Sequence, residues 1–90
     1  MRVSKRYIVS GRVQGVGFRY FTQRVADQHG IAGWVRNTLD GRVEIEAEGE
    51  ANAMRAFEDR ISTGPAGARV DHVDTTETSI KPERSSFSIR

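Results

Sequence analysis

WVRNTLDGRVEIEAE, residues 34–48, reads as two strands joined by a tight turn. Val43, Ile45 and Ala47 alternate with Glu44, Glu46 and Glu48, the period of two expected of a strand with one buried and one wet face. Asp40 and Gly41 supply the turn, because a two-residue hairpin loop needs positive φ that glycine adopts without strain. The stretch therefore predicts strands over 34–39 and from 43 onward. Acids at period two are most simply the solvated side of the second strand, and a metal site there is the less economical reading.

On the N-terminal side of this hairpin, residues 5–13 alternate apolar and polar and are rich in β-branched and aromatic types, the mark of another strand. After a run of glycines the period changes, and Phe18, Phe21 and Val25 fall on one helical stripe that Gly30 would close. On the C-terminal side, Ala51, Met54, Phe57 and Ile61 form a second helical stripe, stopped by Thr63, Gly64 and Pro65. Val70, His72 and Val73, then Phe87 and Ile89, suggest one or two closing strands. The order is β-α-β-β-α-β, with or without a fifth strand.

Both crossovers are expected to be right-handed, which places both helices on the same side of the sheet. The expected fold is thus an α+β sandwich of ferredoxin-like type: an antiparallel four- to five-stranded sheet, two helices on one face, the other face partly open to water. Trp34, Phe57 and Phe87 are expected in the core, with Phe21 and Met54 packing each helix onto the sheet.

The 90 residues are expected to form one domain spanning 1–90, since a chain of this length has room for a single modest core. Charged residues make up 29% and hydrophobic ones 37%, a balance that suits a globular chain rather than a disordered one. There is no cysteine, which excludes disulfides, a thiol nucleophile and thiolate metal sites. No apolar run is long enough to span a bilayer, and residues 1–11 lack the features of a signal peptide, so a cytoplasmic protein without membrane contact is expected. The net charge of +2 is spread along the chain and only mildly favours anionic partners.

The glycine-rich stretch SGRVQGVGFRY, residues 10–20, fits neither familiar nucleotide loop. A Walker loop would need its second glycine where Val16 stands, and a dinucleotide fingerprint would need a small residue in place of Tyr20. Gly15 and Gly17 can still turn successive N–H groups into a concave anion site at a helix N-terminus, beside Arg19, whose planar fork grips two phosphate oxygens together. The bland alternative is a strand-to-helix turn followed by a solvated arginine. Strand parity groups Asn37 with Val35 and Leu39, an apolar set in which a carboxamide needs polar partners or a place at the rim. Because the first two strands would run parallel, Asn37 and the glycine loop emerge at the same end of the sheet. Thr38 either supports Asn37 or faces water. His29 and His72 stand apart with no paired ligand spacing and are read as structural.

VSGRVQGVGFR, residues 9–19, resembles the first signature of the acylphosphatase family, and GWVRNTLDGRVEIEAEG, residues 33–49, is similar to the second. The resemblance extends to length, order of elements and the closing FSIR. It implies a small hydrolase that cleaves the mixed anhydride of acyl phosphates to a carboxylate and inorganic phosphate, with no metal and no cofactor. It further implies that Arg19 binds phosphate, that Asn37 positions water, and that the amides of Gln14, Gly15, Val16, Gly17 and Phe18 surround the phosphate. Inorganic phosphate is then expected as an inhibitor, and the protein as a monomer. The chain departs from the animal type in having no aromatic residue after FSIR, which leaves tail contacts open.

Two other readings remain from the fold type alone. One is a non-catalytic binding module, although an RNA-binding sheet would carry aromatics on its third strand where Glu44, Glu46 and Glu48 stand. The other is a domain of the kind found at the start of much longer hydrogenase maturation factors.

Overall fold

In the computed structural model, which describes residues 1–90, β1 (Arg2–Arg12) turns Tyr7 and Val9 inward and leads through the glycine loop into α1 (Phe18–Gln28). β2 (Ala32–Asn37) and β3 (Val43–Glu50) form the hairpin, α2 (Ala51–Thr63) follows, and β4 (Arg69–Glu77) and β5 (Phe87–Ile89) close the sheet. The strand order is β4-β1-β3-β2-β5. β1 and β2 both pair antiparallel with β3, so they run parallel to one another. β5 pairs parallel with β2, which makes the sheet mixed rather than wholly antiparallel.

One face of the sheet packs on the helices. Val25 of α1, Phe57 and Ile61 of α2, and Val9, Val35 and Ile45 of the strands are inaccessible to solvent, each contributing about 1.5–3 kcal/mol of apolar burial. Tyr7 is equally buried, and its hydroxyl donates to Glu58 Oε2 at 2.6 Å. Burial, reinforced by that carboxylate, pushes the phenol well above its ordinary value.

The other face departs from expectation. Glu44 is 5% exposed and Glu48 is fully buried. Arg6 and Arg36 pair with Glu44 at 2.6 and 2.5 Å, while Glu48 accepts from Arg2 Nε at 2.9 Å and from the Lys81 main-chain N–H at 2.8 Å. Glu46 is held by Arg84 and, at 3.4 Å, by Lys81 Nζ. The cause is topological: β4 and β5 lie at opposite edges of the sheet and the helices occupy one face, so residues 78–86 bring Lys81 and Arg84 across the other. Trp34 also lies on this second face instead of in the core. It is half-buried, with the Arg90 guanidinium 4.6 Å and that of Arg36 5.9 Å from its ring centroid, within cation–π range.

Burial alone would raise the Glu48 carboxyl, but the Lys81 amide and the Arg2 guanidinium outweigh it and hold the group below its ordinary 4.5. A folded-state value below the unfolded one means that this stabilisation is present above about pH 4.5 and is lost as pH falls further. Glu48→Ala is expected to cost about 3 kcal/mol in urea unfolding at pH 7, because it takes away the acceptor of both the Arg2 guanidinium and the Lys81 main-chain N–H, and to cost less at pH 3. An equal loss at both pH values would remove the ionised carboxylate from this role.

Candidate active site

The change from strand to helix at residues 13–18 is made by two left-handed glycines, Gly15 at φ 75° and Gly17 at φ 77°. A Cβ at either position would meet no other atom within 4 Å, so these glycines answer to backbone conformation and not to crowding. Gly17 caps α1, which has neither a side-chain cap nor an acidic residue in its first turn. The first N–H of this region with a main-chain acceptor is that of Phe21, bonded to the Gly17 carbonyl at 3.0 Å. The N–H groups of residues 15–19 are thus left without an acceptor in the chain, at the positive end of a helix, the electrostatic requirement for holding an anion.

Beside them is a cavity of about 160 Å³, lined by Val13, Gly15, Gly17, Phe18, Arg19, Tyr20 and Asn37. Arg19 is half-buried, and its Nη1 donates to the Arg90 main-chain oxygen at 3.2 Å. Arg90 is in turn fixed by its N–H on the Val35 carbonyl at 2.8 Å and by its guanidinium over Trp34. The end of the chain therefore orients the arginine, and FSIR takes part through its backbone.

Asn37 is the last residue of β2, half-buried, opposite Val43 and on the same face as Val35. The expected strand over 34–39 lies two residues early in the sheet, at 32–37, so Leu39 is not a partner of Asn37 but fully exposed in the turn. Thr38 organises that turn, accepting from the Arg42 N–H at 3.0 Å and donating to Asp40. The Arg42 guanidinium, with the Thr38 hydroxyl, holds the Asp40 carboxyl down at about 2.

Gln14 and Val16 do not line the cavity. The Gln14 side chain donates to the carbonyls of Thr38 at 2.8 Å and Arg42 at 2.9 Å, fastening the glycine loop to the hairpin, and Val16 packs against the core. Sequence reasoning missed Val13 and Tyr20 as lining residues. Their signals were adjacency: Val13 is the inward residue just before the loop, and Tyr20 follows Arg19. His29 ends α1 and His72 stands exposed on β4 beside Asp74, both outside the cavity.

A sequence model described as acylphosphatase matches residues 5–89. The acylphosphatase of Bacillus subtilis (strain 168) is 49% identical over 84 residues, 93% of this chain and 92% of the relative. A crystal structure of acylphosphatase from Bacillus subtilis matches with a TM-score of 0.94 at 47% identity, covering 100% of this chain and 99% of that one. The structure of an acylphosphatase from Coxiella burnetii matches with a TM-score of 0.93 at 32% identity, over 99% of this chain and 93% of that one.

Proposed function

The chain belongs to the acylphosphatase family and hydrolyses the carboxyl–phosphate bond of small acyl phosphates, and from that premise we propose how its residues divide the work. The amides of residues 14–18 and the Arg19 guanidinium hold the phosphoryl group, and Asn37 holds the water that attacks it. The observation that carries this reading is the cavity wall shared by Gly15, Gly17, Phe18, Arg19 and Asn37.

The chemistry asks little of proton transfer. A carboxylate is a weak base and departs without prior protonation, and no Asp, Glu or His lines the cavity to act as a general acid. Phosphoryl transfer passes through a loose transition state with charge spread over the equatorial oxygens, so fixed N–H donors lower the barrier most. The Asn37 Oδ1 accepts a hydrogen bond from water while its NH₂ donates to a phosphoryl oxygen, which lines up the attack. A phosphoryl oxygen of the substrate takes the proton.

The same donors suit the product, so inorganic phosphate inhibits by occupying the same place. We further propose a cytoplasmic monomer; it takes no nucleic acid, since Glu46 and Glu48 of β3 lie beneath Lys81 and Arg84, and Glu44 between Arg6 and Arg36, where an RNA-binding sheet would present stacking aromatics. No helix is long and apolar enough to cross a membrane. Because amides and a guanidinium supply the positive field, hydrolysis of benzoyl phosphate is expected to proceed at an unchanged rate in excess EDTA. Loss of activity with the chelator, restored by a divalent cation, would assign that field to a metal.

A further inference from the structure

Two open grooves border the cavity, each through one shared lining residue. The first, of about 620 Å³, shares Asn37 with the cavity and passes Trp34, Arg36 and Arg90 on the second face of the sheet. The other, of about 480 Å³, shares Tyr20 and follows the outer surface of α1 past Gln23, Arg24 and Asp27. They are the two surfaces beside the cavity that offer the acyl part of the substrate a wall to lie against.

In-line displacement chooses between them, a choice that rests on Asn37 as the holder of water. Entering and leaving oxygens lie on opposite sides of the phosphorus, so the carboxylate departs on the side away from Asn37. We propose that the acyl group lies over the Tyr20 ring in the α1 groove, and that Tyr20 is a specificity residue favouring uncharged aromatic acyl phosphates.

Two observations support the assignment. Tyr20 is 72% exposed, and among the exposed large apolar side chains, which include Leu39 and Ile80, it is the one that lines the cavity. An aromatic ring left uncovered beside a polar pocket is suited to the apolar part of a ligand whose anionic end enters that pocket. Beyond the ring, Arg24 and Asp27 stand three residues apart on one helix face and offset each other's charge, so the groove offers hydrogen-bonding groups without the net positive field that would select a second anion.

The test is kcat/KM for benzoyl phosphate and for acetyl phosphate, whose methyl group is too small to reach the groove, measured on wild type, Tyr20→Ala, Tyr20→Phe and Trp34→Ala. Tyr20→Ala is expected to lower the benzoyl value by about three- to tenfold, the factor contributed by an aromatic pair, and the acetyl value by less than about twofold. Tyr20→Phe should restore the benzoyl-to-acetyl ratio, and Trp34→Ala should leave that ratio at the wild-type value. An unchanged ratio in Tyr20→Ala, or a ratio that moves in Trp34→Ala instead, overturns the assignment. The ratio is read independently of absolute rate. A failure of Asn37→Ala to slow turnover would therefore count against the water-holding role, separately from the result at Tyr20.

Discussion

Replacing Arg19 by lysine is expected to lower kcat/KM for benzoyl phosphate by about three orders of magnitude or more, nearly as much as replacement by alanine. One guanidinium N–H is committed to the Arg90 main-chain oxygen at 3.2 Å, which fixes the plane of the fork and leaves other donors for the phosphoryl oxygens. An ammonium has no such plane. It can bond the Arg90 oxygen or the phosphoryl group, but cannot span both with two donors side by side. Phosphate inhibition should weaken in parallel, because bound phosphate and the transition state both present non-bridging oxygens to the same fork. The substitution lies on a half-buried helix residue outside the core, and unfolding free energy should change by no more than about 0.5 kcal/mol. A lysine variant with near-normal kcat/KM would remove Arg19 from the reaction.

Asn37→Ala is expected to reduce kcat by about two to three orders of magnitude, the loss found when a positioned hydrogen-bonding group is deleted. The carboxamide gives the phosphoryl group one donor among several but is the one group that holds the entering water, so phosphate affinity should change far less than turnover. Asn37 ends β2, and its place in the ladder opposite Val43 is a backbone property that alanine keeps. Loss of phosphate affinity with kcat maintained would make Asn37 a phosphate ligand.

The local part of this molecule was readable from its sequence. Period two in residues 43–48 and the helical stripe of Phe18, Phe21 and Val25 are properties of neighbouring residues, and the structure follows them. That Arg19, the glycine loop and Asn37 come together was equally legible, because the first two are consecutive and strand parity sets Asn37 on the face of Val35. What escaped depends on long-range closure. An acidic row at period two looks the same whether water or guanidinium groups face it. Only the crossing of residues 78–86 between opposite sheet edges decides that Glu48 is buried. Trp34 differs from expectation for a related reason: parity sets it on the face opposite Val35, and what half-buries it there is Arg90, brought over its ring by the long-range closure of β5. The parallel pairing of the three-residue β5 escaped because Pro82 marks a turn without saying which strand the chain then joins, and with it went the contact between Arg90 and Arg19. Gln14 enters the site reading through its main-chain amide, and the bonds by which its side chain fastens the loop to the hairpin had no local signal.

The division of labour between holding phosphate and holding water is tested most directly by the phosphate inhibition constant of Asn37→Ala, measured beside that of Arg19→Lys. If the loop amides and Arg19 bind the anion while Asn37 binds the nucleophile, the asparagine variant keeps an inhibition constant within about threefold of wild type despite its slow turnover. The lysine variant loses inhibition by a far larger factor. The reverse pattern, with phosphate affinity gone in Asn37→Ala and intact in Arg19→Lys, would contradict it.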